Sequence, residues 1–223
     1  MRLDFAKVPL PWKYGRWRTV RPGAQINNNT GNLTMQLTKA ITHAALAISI
    51  TAAWSTLAHA SAGSGACQPE VGFSPEGSAA ALVDHAIDSA QRSIRVSAYS
   101  FTSPDVVRHL LQAKRRGVEV AVVVDEKNNL SEDRSGKAHA ALNLLVNASI
   151  PVRTVSVYPI HHDKVVIVDG ATVQTGSFNY SQAAASRNSE NALVLWNCPG
   201  VARDYLAHWQ TRWDQGVDFR SSY

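Results

Sequence analysis

Apolar positions recur along the later part of the chain with two different periods, and each period marks a kind of element. A helical period places Leu82, Val83, Ala86, Ile87 and Ala90 on one stripe. It predicts a helix opening at Ser74-Pro75-Glu76, with a capping serine and then proline at the first position. Ser93 to Phe101 alternates with period two and predicts a strand. Ser103-Pro104-Asp105 opens a second helix with Val106, Val107, Leu110 and Leu111 inward. Lys114-Arg115-Arg116-Gly117 closes it with cations that suit the helix dipole and a glycine that ends the turn. Val118 to Val124 predicts a buried strand ending at Asp125, and Glu126 to Gly136 a polar loop. A third helix follows over Lys137 to Asn147, with Leu142, Leu145 and Val146 inward. Pro151 to Val157 predicts a strand, Ser181 to Ser186 a short turn, Ala192 to Trp196 a strand. The last helix follows Pro199, with Val201, Tyr205, Leu206, Trp209 and Trp213 at core or subunit-contact positions. Strands alternating with helices predict an α/β fold, a mixed β-sheet flanked by helices.

The stretch from His161 to Asn179 carries the candidate chemistry. Val165 to Val168 and Ala171 to Thr175 are strand-like runs with Asp169-Gly170 between them, which predicts a β-hairpin. Alternation along a strand puts His162 and Lys164 on one face at its start, and Ser177 and Asn179 on one face where the second strand ends. The hairpin brings both pairs to the same end. An imidazole, an ammonium, a hydroxyl and an amide gathered there suit a phosphate. Asp169 falls in the turn and faces away from His162 and Lys164, so it is expected to be structural, as is Gly176. His161 and Asp163 point to the opposite face, and no metal cluster is expected at the hairpin.

The run His162-x-Lys164-x4-Asp169-x6-Gly176-Ser177-x-Asn179 resembles the HKD signature of the phospholipase D superfamily, and Asn188-Ser189-Glu190-Asn191-Ala192 is also similar to it. The resemblance extends from about Val71 to Tyr223. It includes the small bacterial secreted endonucleases of the Nuc type, which carry one HKD motif per chain. It implies a phospholipase D-like sandwich and phosphodiester cleavage without a metal or other cofactor. His162 is then the nucleophile, forming a phosphohistidine. Lys164 and Asn179 hold the non-bridging oxygens, Ser177 assists by hydrogen bonding, and Glu190 accepts the imidazole's other N–H. With one motif per chain, it further implies a homodimer with the active site at the two-fold interface. The implied substrate is DNA, with RNA open. Phospholipid headgroup hydrolysis is the alternative, against which stands the lack of a long apolar loop for acyl chains.

Composition changes this picture in two places. Of 223 residues, the first sixty hold seven Lys or Arg against one acid, and the remainder fifteen against sixteen. The net charge of +5 therefore belongs to the leader and says little about a polyanionic partner. Residues 1–34 lack periodicity and are expected to be a disordered extension ahead of a second start, Met35. Residues 35–60 then read as a secretory signal: Lys39, the apolar run Ile41 to Leu57, and Ala58-His59-Ala60 as cleavage site. The run is too short and too interrupted for a membrane anchor. Cleavage leaves a linker at 61–70, a domain at 71–223, and a periplasmic or secreted product. Cys67 and Cys198 flank that domain, and the sequence leaves open whether they pair or stay free.

Overall fold

The order β1-β7-β6-β5-β2-β3-β4-β8 of one mixed sheet organises residues 66–221, those that the computed structural model describes. The expectations for the leader lie outside the described residues. The strands are β1 (Gln68–Ser74), β2 (Ser93–Ala98), β3 (Glu119–Asp125), β4 (Val152–Val155), β5 (Lys164–Val168), β6 (Thr172–Gly176), β7 (Glu190–Trp196) and β8 (Val217–Asp218). β2, β3 and β4 run parallel, while β5, β6, β7 and β1 form an antiparallel half. The helices are α1 (Ser78–Asp88), α2 (Pro104–Arg115), α3 (Lys137–Asn147), α4 (Gln182–Ser186) and α5 (Pro199–Gln215).

Strand alternation divides the apolar residues into two cores. Val166 and Val168 of β5 pack with Leu82, Val83 and Ile87 of α1 and Leu110 of α2, while Val165 and Ile167 pack with Ala202 and Trp209 of α5. β3 is covered on both sides, Val120, Val122 and Val124 facing one core and Ala121 and Val123 the other. That double burial is why its sequence is a continuous apolar run rather than an alternating one. The aromatic residues of α5 serve as core: Trp209 donates its indole N–H to the Val96 carbonyl (2.9 Å) and stacks on Trp213.

The predicted α2, α3 and hairpin are found with small shifts of boundary, and α2 is capped by Ser103, whose Oγ accepts from the Val106 N–H. Three expectations are corrected. Ser74-Pro75-Glu76 does not start a helix: Ser74 ends β1, and α1 begins at Ser78 after Gly77. The reason is the pairing of Gln68 to Ser74 with β7, which claims the segment as an edge strand. The sheet thereby begins at Gln68, inside the stretch read as a linker. Second, the polar loop contains a wide helical turn, Lys127–Glu132, that buries Asn129 (1% exposed). Third, the turn expected at Ser181 to Ser186 is a short helix, Gln182–Ser186, capped by Ser181, whose Oγ accepts from the Ala184 N–H; in addition β8, which the sequence did not announce, pairs with β4, two residues being too few to leave a periodic signal. The open question of the cysteines is resolved, since Cys67 and Cys198 form a disulfide that ties β1 to the start of α5.

Asp169 is the lock between the hairpin and the rest of the sheet. Its carboxylate accepts the backbone N–H groups of Gln91 (2.9 Å), Arg92 (2.7 Å) and Ser93 (2.8 Å), while its own N–H donates to the Ser93 carbonyl. Burial works to raise its pKa, but the three amide bonds and Arg92 outweigh it and hold the carboxyl below the ordinary 3.8. The depressed value means this stabilisation is present above the unfolded-state pKa and is lost as pH falls through the folded one. Asp169→Ala should therefore cost about 2–3 kcal/mol in urea unfolding near neutral pH. The gap from wild type should shrink as the medium is taken below the ordinary aspartate value; a gap independent of pH would show that the charge is not what holds the turn.

Candidate active site

Three strand registers align the candidate residues across the sheet. Ala98 of β2 faces Lys164 of β5, and Gly176 of β6 faces Ala192 of β7. The β5–β6 register pairs Val166 with Gln174, which carries Lys164 opposite Gly176. With strands ~4.8 Å apart, Lys164 and the chain on either side of Gly176 and Ala192 fall within a few strand spacings. His162 lies just before β5, Ser177 and Asn179 just after β6, and Glu190 at the start of β7. All stand at the end where the parallel strands β2 and β3 finish. Gly176 makes the closure possible: its φ is 145°, and a side chain there would overlap the Asn191 carbonyl.

Each side chain has a defined setting. Lys164 is 6% exposed, and its ammonium donates to the His162 carbonyl (3.0 Å) and lies over the Tyr99 ring, 5.2 Å from the centroid. Burial pushes its pKa below the usual lysine value, opposed by the charges of Glu190 and Asp163. His162 is exposed, with its ring 4.6 Å from that of Tyr99 between centroids. Ser177 donates to Glu190 (2.6 Å) and accepts from the Asn191 N–H (3.0 Å). Glu190 also accepts from Asn188 (2.9 Å), so within one chain its bonds go to Ser177 and Asn188 and not to His162. The Asn179 Oδ1 is buried without a hydrogen-bond partner. This cluster gathers an imidazole, an ammonium and two neutral polar groups at one pole, which suits an oxyanion.

His161 and Asp163 lie on the other face, as alternation requires. His161 is 3% exposed; a ring nitrogen meets Ser97 Oγ at 2.9 Å, and its backbone N–H donates to Asp125 (2.7 Å). Burial lowers the His161 pKa, against Asp163 and Asp125. Asp163 meets His208 of α5 at 2.8 Å.

Tyr99 is the site residue that sequence reasoning missed. It sits one residue beyond β2, where alternation has ended, and its ring touches both His162 and Lys164. Its N–H donates to the Asp163 carbonyl (2.8 Å), between those two residues in sequence, and its carbonyl accepts from buried Asn129 (2.6 Å). The only available signal was its place in the strand preceding a serine-rich turn.

The chain matches the family described as "Cardiolipin synthase, PLD-like domain" over residues 83–213, more than half its length. Among solved structures it is similar to a phospholipase D family member, Nuc from Salmonella typhimurium, at 54% identity and a TM-score of 0.67, covering 70% of this chain and 99% of that one. It is 34% identical to a phospholipase D of Rickettsia conorii over 140 residues, 63% of this chain and 66% of the relative. It is 30% identical to the mitochondrial cardiolipin hydrolase of Xenopus laevis over 56% of this chain and 57% of the relative. The chain thus spans just under two thirds of the length of the first of these curated relatives and less of the second.

Because Tyr99 positions two groups by its ring face, Tyr99→Leu should lower kcat on bis(p-nitrophenyl) phosphate about tenfold or more. Tyr99→Phe should stay within about threefold of wild type. Equal losses in the two variants would assign the effect to the hydroxyl instead.

Proposed function

The chain belongs to the phospholipase D superfamily and is a phosphodiesterase of it, and from that premise we propose that it is a secreted, metal-independent nuclease acting through a phosphohistidine. The observation that carries the reading is the single row of Lys164, His162, Ser177, Asn179 and Glu190 at one end of the sheet, in a chain 54% identical to Nuc over nearly all of that protein. Headgroup hydrolysis of a phospholipid is the second reading, favoured by the names of the Rickettsia and Xenopus relatives.

In the first step the His162 nitrogen bonds to phosphorus and the phosphorus–oxygen bond to the leaving alkoxide breaks, the alkoxide taking a proton from an imidazolium. In the second, water attacks phosphorus, the phosphorus–nitrogen bond breaks, and the water's proton returns to the second imidazole. Lys164 and Asn179 face the non-bridging oxygens, and Glu190 orients Ser177. The groups needed are side chains already present, and Glu190 is engaged by Ser177 and Asn188, which supports a reaction that does not route through a cation.

The second imidazole is proposed to be His162 of the partner subunit in a homodimer. Every other described histidine has a separate setting: His85 packs on Trp196, His109 pairs with Asp88, His139 packs on Phe219, and His161 and His208 meet Ser97 and Asp163. The site end is also rimmed by apolar side chains left in solvent, Phe73, Val157 and Ile160, each more than half exposed. A two-fold axis there would cover them and set the two His162 rings face to face. The Cys67–Cys198 disulfide supports an oxidising compartment, periplasmic or extracellular.

The exported product, with an N-terminus near Ser61 or Gly63 by mass spectrometry, should digest plasmid DNA in EDTA at most of its rate without chelator, and faster than it hydrolyses phosphatidylcholine. Loss of cleavage in EDTA with recovery in Mg²⁺ would sink the mechanism. When wild-type chains are refolded with His162→Ala chains, activity per total protein should fall roughly as the square of the wild-type fraction; a linear fall would exclude the shared site.

A further inference from the structure

The segment that delivers His162 is gripped from α5 at two places. Residues 156–163 join β4 to β5 without regular structure, so no ladder holds them. Near the start of that segment the Arg212 guanidinium donates to the Tyr158 hydroxyl (2.7 Å), and at its end Asp163 Oδ2 stands 2.8 Å from His208 Nε2. His208 and Arg212 are four apart and share a face of the helix. Next to His208, buried Trp209 is bonded to the Val96 carbonyl (2.9 Å), which fixes α5 against the sheet at this point.

The other neighbours of the Asp163 carboxylate hold it less closely. Ser97 Oγ is 3.4 Å away and is engaged by the His161 ring at 2.9 Å, while His161 Nδ1 is 3.7 Å away, beyond hydrogen-bond reach. His208 is therefore its close partner. Asp163 lies between His162 and Lys164 in sequence, and its own backbone is part of the site: its carbonyl accepts from the Tyr99 N–H (2.8 Å), beside the His162 carbonyl that takes the Lys164 ammonium (3.0 Å). His162 is exposed, its ring resting on Tyr99, so its aim depends on the backbone that carries it. A rotation of Asp163 would shift the imidazole and the ammonium together.

We propose that His208 is a positioning residue for phosphodiester cleavage, holding Asp163 from the far face of the sheet so that His162 and Lys164 stand correctly at the phosphate. The inference rests on the reading of His162 as nucleophile and adds to it a residue 45 positions downstream, on another element. A ring that carries hydrogen on Nε2 donates to the carboxylate whether neutral or charged, so the contact works by geometry. His208 touches no reacting atom in this scheme. Its side chain is 43% exposed, so its removal opens no buried cavity and the fold should survive.

The test measures kcat and KM on bis(p-nitrophenyl) phosphate with the full chain, under conditions where urea unfolding shows each variant to be folded. His208→Ala should lower kcat about tenfold and leave KM within about twofold, because the diester still binds but meets a misaimed nucleophile. His208→Gln, which can place an amide N–H where the imidazole Nε2–H stood, should recover kcat to within about threefold of wild type. Asp163→Ala should match His208→Ala, and the double variant should lose little more than either, since both remove one contact. Gln210→Ala, which breaks an exposed bond to Asp214 elsewhere on α5, should leave both constants unchanged. An unaltered kcat in His208→Ala, a loss confined to KM, a glutamine variant as impaired as the alanine one, or additive losses would each overturn the inference while leaving the His162 reading intact. His162→Ala settles that reading separately: an abolished rate supports it, and a retained rate removes it together with the role given to His208.

Discussion

The structure depends on one constraint, the antiparallel register of β5 between β2 and β6. Side chains alternate along β5 with period two, so a slip of one residue would turn Lys164 toward α5 and Val165 toward the site. Both cores would then lose their apolar contacts together. The register is pinned at both ends of the hairpin. At the turn, Asp169 gathers three amides of the α1–β2 connection; at the site, Gly176 lets the Asn191 carbonyl come closer than any side chain would allow. The family motif thus contains its own alignment device, with Asp169 and Gly176 holding the strands that carry the reacting groups.

A second polar hub holds the loops that the strands do not reach. Asp125 ends β3 and accepts the His161 N–H with one oxygen and the Asn128 N–H with the other. Asn129 donates to the carbonyls of Tyr99 and Asp125 and accepts from the Phe101 N–H (2.9 Å). Together the two residues tie the segment carrying Tyr99 to the segment carrying His162, on the buried side of both. Such a network is stabilising because its main groups are satisfied; a buried amide left without these partners would cost ~1–3 kcal/mol.

The parts legible in the sequence were those where one period dominates. The α2 stripe, its Ser103 cap and the β5–β6 hairpin all carry strong local signals and all are found. Alternation alone separated His162 and Lys164 from His161 and Asp163. What was missed depends on partners distant in sequence. β1 has a helix-cap look, yet β7 claims it across more than a hundred residues. Asn129 sits in a polar run that reads as loop, and its burial follows only from the Tyr99 and Phe101 backbone it serves. Tyr99 has no motif of its own. Its role comes from standing where three segments meet.

The site is built short of hydrogen-bond partners within the chain, and that shortage bears on how it would work. An ammonium has three N–H donors; that of Lys164 makes one hydrogen bond, to the His162 carbonyl, and rests otherwise on the Tyr99 ring. Burial at 6% exposure depresses its pKa, and Glu190, the carboxylate that helps to oppose this, is already bonded to Ser177 and Asn188. Nearby, the Asn179 side-chain oxygen is buried without a partner. A neutral ligand would add nothing to the partial compensation that Glu190 and Asp163 give Lys164, whereas a phosphodiester brings both negative charge and acceptor oxygens. Charge accumulating on those oxygens in the transition state would strengthen the same contacts further, so the cost of burying Lys164 is recovered most fully when the diester is reacting.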